Sequence, residues 1–94
     1  MSQKFEIISF NDHQILTVQE DDGIYVVMKP IVEAMGLTWK DQHKRISDHP
    51  VIRKGIRVTR IPSGGGMQDM MCLHLEAFHG WLVTIDPRRF KDEE

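Results

Sequence analysis

Residues 20–39, EDDGIYVVMKPIVEAMGLTW, decide the fold. Asp22-Gly23 is the dipeptide that a tight hairpin prefers, so strands are expected on both sides of it. Ile24, Val26 and Met28 share one face and Tyr25 and Val27 the other, which describes a strand apolar on both sides and hence central in a sheet. Lys29-Pro30 switches the chain to helix, because the N–H that proline lacks has no partner in a first turn. Ile31, Ala34 and Met35 at i, i+3 and i+4 give that helix one apolar face. Gly36 stops it by taking the left-handed conformation. Thr38 then caps a second helix, with Asp41 as a weak capping-box acid. Trp39, His43 and Ile46 line one side of it, and Asp48-His49-Pro50 ends it. Two short helices around Gly36-Leu37 make a helix-turn-helix-like corner.

Working outward, Phe5–Phe10 and Ile15–Val18 read as strands, with Asn11-Asp12 turn chemistry between them. Downstream, Ile56–Ile61 and Met70–Leu75 form a hairpin around Pro62-Ser63-Gly64-Gly65-Gly66. In its first strand Ile56 and Val58 face inward and Arg57 and Thr59 outward. Arg60, in phase with Ile56, then needs an edge position or a bulge. Leu75, Phe78, Leu82 and Ile85 fit a last helix closed by Asp86-Pro87. Gly80 lies inside it and costs about 1 kcal/mol against alanine, which a close neighbour would explain. The order is βββααββα, a small single α+β domain over residues 1–90 with 91–94 as a frayed acidic tail. Trp39 and Trp81 both fall on apolar faces and are expected in the core.

Composition fits this reading. The chain has 94 residues, 40% hydrophobic and 28% charged, with a mean hydropathy of −0.35. These values exclude global disorder. A chain of this size allows one domain. No apolar run approaches the roughly 18–20 residues of a membrane helix. The opening MSQKFEIISF lacks the layout of a signal peptide. A lone cysteine, Cys72, excludes an intrachain disulfide and a multi-cysteine zinc cage. A cytoplasmic protein is expected.

Catalytic constellations are not legible. Cys72 and His74 share a strand face, but two ligands without a third make no metal site. His74 and His79 straddle a strand–helix junction. Ser63-Gly64-Gly65-Gly66 has neither the Lys-Ser/Thr nor the helix start of a phosphate cradle, so it reads as a hairpin tip. Met67, Met70 and Met71 suit a core or an adaptable interface. No enzyme activity, metal or cofactor is expected.

Charge is unevenly spread. Net charge is −2, yet residues 1–39 carry −4, residues 40–60 carry +5 and residues 61–94 carry −3. The basic middle holds Lys40, Lys44, Arg45, Arg53, Lys54, Arg57 and Arg60. It reads either as a site for nucleic acid or another anionic partner, or as an ordinary solvated surface. Asp41–Arg45 and Lys44–Asp48 have the i, i+4 spacing of helix ion pairs.

The stretch from Ile24 to Lys40 resembles the signature of the amino-terminal domain of temperate-phage antirepressor proteins: an apolar strand, then Met28-Lys29-Pro30-Ile31, then Gly36-Leu37-Thr38-Trp39. Met71-Cys72-Leu73 followed by Gly80-Trp81-Leu82 is similar to that family's second block, and Ile85-Asp86-Pro87 resembles its close. The order of elements is also similar to the BRO amino-terminal domain of viral proteins. The resemblance covers roughly residues 5–90. It implies a phage or prophage regulator of lysis and lysogeny in the host cytoplasm that binds a repressor protein, DNA, or both. The usual partner-specific second domain does not follow within these residues, so the chain reads as a fragment or as a free-standing version. A free-standing version could instead inhibit a bacterial protein complex without touching DNA. The expected partners are a phage repressor or another bacterial or phage protein, with DNA and a second copy of the chain as further candidates and no membrane.

Overall fold

A computed structural model describes residues 4–10 and 13–85. Three strands come first: β1 (Lys4–Phe10), β2 (His13–Glu20) and β3 (Gly23–Val27). Helices α1 (Met28–Ala34) and α2 (Trp39–Asp48) follow, then one 3-10 turn at Ile52–Gly55. Strands β4 (Ile56–Ser63) and β5 (Gly66–His74) and helix α3 (Leu75–Ile85) complete the order βββααββα. The fold is α+β. The expected turn at Asn11-Asp12, the Asp86-Pro87 close and the tail at 91–94 lie outside the described residues.

The five strands form one antiparallel sheet in the order β1-β2-β3-β5-β4. The strand expected to be central is central, and for the expected reason: Tyr25, Val26 and Val27 are all buried. At the β4–β5 tip, Ser63 pairs with Gly66, and Gly64 and Gly65 take positive φ of 33° and 89°. A two-residue connection whose central residues both have positive φ is what the right-handed twist of a hairpin favours.

The helices lie on one face of the sheet. Ile15, Val26 and Leu73 point at them and meet Met28, Ile31, Val32 and Met35 of α1, Ile46 of α2, Ile52, and Phe78, Trp81 and Leu82 of α3. The opposite face holds a second core of Val18, Tyr25, Val27, Ile61 and Cys72. All five come from strands. The coiling of a twisted sheet, concave on that side, brings such residues against one another.

Several local expectations are corrected. Helix α1 starts at Met28, so Pro30 is its third residue; the N–H it lacks is still one of the four unpaired at a helix start. The inward positions of α1 are Met28, Ile31, Val32 and Met35, and Ala34 is exposed. In α2 the buried residues are Gln42 and Ile46, whereas Trp39 is half-buried and His43 exposed. Thr38 occupies the N-cap without a side-chain bond. In β4, Val58 is 64% exposed while Thr59 and Ile61 are buried. The curl of the sheet buries the face that alternation marks as outward, because the distal hairpin extends past the helices. For Arg60 the edge position holds and not the bulge: β4 is an edge strand, and its register with β5 runs unbroken from Ile56↔Leu73 to Ser63↔Gly66. The close packing sought at Gly80 is at Gly55 instead. A Cβ there would sit 2.6 Å from the Ala77 Cβ, against an ordinary 3.8 Å to Ile52 for one at Gly80.

Candidate interaction groove

The seven basic residues singled out from the sequence are distributed over several surfaces. Lys40 and Lys44 lie on the exposed side of α2, and Lys44 donates to Asp48 at 2.9 Å. That hydrogen bond, with the carboxylate charge behind it, raises the Lys44 pKa. Arg45 does not pair with Asp41. It reaches across to donate to the Thr84 carbonyl at 3.2 Å, near the end of α3. A cation on the last carbonyls of a helix is favoured by the helix dipole. Arg53 and Lys54 belong to the 3-10 turn, which packs against α3 and α2.

Arg57 and Arg60 part company as well, because residues three apart on a strand point to opposite faces. Arg57 lies on the concave side, 3.4 Å from Asp22 and 3.7 Å from Glu20, with its guanidinium 5.6 Å from the centre of the Tyr25 ring. Tyr25 in turn donates to Asp22 at 2.9 Å. Burial, followed by that bond, holds the Tyr25 phenol above its usual range. Arg60 lies on the helix side of the hairpin, 3.7 Å from Asp69 across the ladder. Three of the seven, Lys44, Arg57 and Arg60, are therefore matched to carboxylates, and one continuous basic face is not formed.

A different surface brings residues together. Between the start of α2 and the β4–β5 hairpin runs a groove of about 290 Å³, lined by Lys29, Trp39, His43, Val58, Asp69 and Met71 among others. Trp39 and His43 are one helical turn apart and stack edge to face at 5.4 Å and 82°, forming one wall. Val58 and Met71 are opposite each other in the β4–β5 ladder and form the other. Met67, 53% exposed, continues the same hairpin face toward the tip. Lys29 and the Arg60–Asp69 pair put charge at the rim. Large apolar side chains left open to water beside a polar rim are what a protein-docking surface presents. Methionine adds a surface that can re-pack around its partner. Of these residues, sequence reading brought out the Trp39–His43 spacing, the Met cluster and Arg60, without placing them on one surface. The pairing of Val58 with Met71 depends on the hairpin register.

A family model for the P22_AR N-terminal domain matches residues 6–94. The chain belongs to this family, the amino-terminal domain of phage antirepressors. Comparison with curated proteins and with solved structures gives no match. The two sequence blocks that resemble the family occupy distinct places in this antirepressor domain. The first builds β3, α1 and the corner into α2, and brings Lys29 and Trp39 into one groove although they are ten residues apart. The second builds β5 and α3, and plants Trp81 in the core. The family is a regulatory one. Among the described residues, no three His, Cys, Asp or Glu are grouped to hold a metal ion, and no helix is long and apolar enough to cross a membrane.

Proposed function

We propose that this antirepressor domain is a protein-binding regulatory module that captures a phage repressor in the groove between α2 and the β4–β5 hairpin. The observation that supports this is the contrast between two surfaces. Trp39, Val58, Met67 and Met71 offer a joined apolar surface, half-buried or exposed, whereas the basic residues are dispersed and three are already paired. Desolvating such an apolar surface drives protein association with little dependence on salt. Binding to DNA through the 40–60 segment would instead release counterions and weaken steeply as salt rises.

The test is capture from a lysate of the host lysogen, with and without nuclease and over a salt series. Retention of a repressor that survives nuclease and about 0.5 M salt, and that Val58→Asp abolishes, is the outcome expected of a hydrophobic protein interface. Capture lost on nuclease treatment, together with duplex DNA binding by the purified domain that falls steeply with salt, would transfer the function to Lys40, Arg53, Lys54 and their neighbours. Capture of a bacterial complex in place of a repressor would keep the groove and change the partner.

A further inference from the structure

The two edges of the sheet are built differently. Strand β4 carries Arg57, Arg60 and Pro62, which are the residue types that keep an edge strand from pairing with another chain. Strand β1, at the opposite edge, has no proline, and its two charges, Lys4 and Glu6, are opposite in sign. Its register with β2 is unbroken from Lys4↔Gln19 to Phe10↔His13, so no bulge twists the edge away. It exposes Phe5, Ile7 and Ile8 at 39%, 62% and 42%.

Alternation settles which way its backbone points. Glu20↔Gly23 flanks a two-residue connection, and such a pair is hydrogen-bonded, so Glu20 and Val18 bond to β3 and Gln19, Thr17 and Ile15 bond to β1. From there, Lys4, Glu6 and Ile8 bond inward to β2. The N–H and C=O groups of Phe5, Ile7 and Ser9 face outward, along an edge that no other described strand pairs with.

The side chains of this edge are their own complement. Lys4 and Glu6 lie on one face, two residues apart and opposite in charge. Phe5 and Ile7 lie on the other. We propose that β1 pairs with β1 of a second copy, antiparallel about a two-fold axis through Phe5. Phe5 and its copy then exchange two backbone hydrogen bonds, as an outward-facing pair must. Lys4 of each copy stands directly opposite Glu6 of the other, and Ile7 lies diagonal to the facing Phe5, a separation that side chains of this size span. Moving the axis to Glu6 would oppose two glutamates, and moving it to Ile7 would leave both charges without a partner. The contact is smaller than the roughly 800 Å² per partner of a standard interface, as in weak and transient complexes. The groove lies at the other edge of the sheet and stays open in the dimer, which would present two grooves to a dimeric partner.

The test is sedimentation equilibrium of the 94-residue chain up to about 1 mM, a concentration that populates even a weak complex. Wild type should show a concentration-dependent dimer. Lys4→Glu and Glu6→Lys should each weaken it at least tenfold, because each opposes like charges twice. An equimolar mixture of the two variants should restore it, since one copy then carries two acids and the other two lysines. Both positions are exposed, and equal thermal melts confirm folding. A wild type that stays monomeric, single variants that dimerise like wild type, or a mixture that stays monomeric would each overturn the proposal.

Discussion

The Trp81 indole donates its N–H to the Gln42 side-chain oxygen at 3.0 Å, and both residues are buried. This bond ties α3 to α2 through the middle of the larger core. It also explains a glutamine at a position where helical periodicity calls for an apolar residue. Gln42→Leu should cost about 1–3 kcal/mol, because the indole N–H is left buried and unpaired. Urea denaturation would register this as a lower midpoint at unchanged slope.

The two tryptophans should separate in a mutant series. Trp81→Ala removes a fully buried ring that stacks on Phe78 at 5.9 Å, and should cost about 3–5 kcal/mol, enough to unfold a domain of this size. Trp39 is half-buried at the groove wall, so Trp39→Ala should cost no more than about 1–2 kcal/mol and lower partner affinity by tenfold or more. Equal losses of stability would place Trp39 in the core after all.

Glycine-to-alanine replacements at two positions should have opposite signs. At Gly55 the new methyl would lie 2.6 Å from the Ala77 Cβ and 3.3 Å from the His74 Cβ, and overpacking should destabilise by about 1–3 kcal/mol. Ala77→Gly in that background should recover part of the loss. At Gly80 the nearest atom is Ile52 Cγ1 at 3.8 Å, which leaves room for a methyl. Gly80→Ala should stabilise by up to about 1 kcal/mol through helix propensity. Thermal melts of the three variants decide both.

Burial pushes the Cys72 thiol from its ordinary 9.0 up to about 11. A thiol raised in the folded state favours folding below its unfolded value, and that contribution is lost as pH rises from about 9 toward about 11. Cys72→Ala should therefore flatten the alkaline limb of the stability profile. In the native wild type at pH 8, a thiol reagent should react many times more slowly than in denaturant.

His49 accepts hydrogen bonds at Nδ1 from the Val51 and Ile52 amides, both at 3.1 Å, and so caps the 3-10 turn. His49→Ala should lose about 1 kcal/mol, within the range of helix N-caps, and His49→Asn should retain more than alanine. Hydrogen exchange at Val51 and Ile52 should quicken in the alanine variant.

Much of this was legible along the chain because it is local. Asp22-Gly23 specified a turn, and unbroken apolar alternation marked β3 as central. Gly36 stopped a helix, and the i, i+4 spacing put Trp39 beside His43. The 3-10 turn was not legible, since Ile52-Arg53-Lys54-Gly55 has no period long enough to read. Nor was the exposure of Val58, for alternation gives the two sides of a strand without saying which one a curled sheet covers.

The sequence by itself determined the element order, the α+β class, the family and the residue types at each turn, because each depends on neighbours within a few positions. Tertiary structure alone decided which charges and apolar groups share a surface. The hairpin register set Val58 against Met71, and the α1–α2 corner brought Trp39 alongside them. The three-residue spacing of Arg57 and Arg60 sent one to Asp22 and the other to Asp69 on opposite faces. A run of like charge along a chain becomes a patch only when the fold turns its members the same way. Here a pleated strand, a helix and a 3-10 turn point them in different directions.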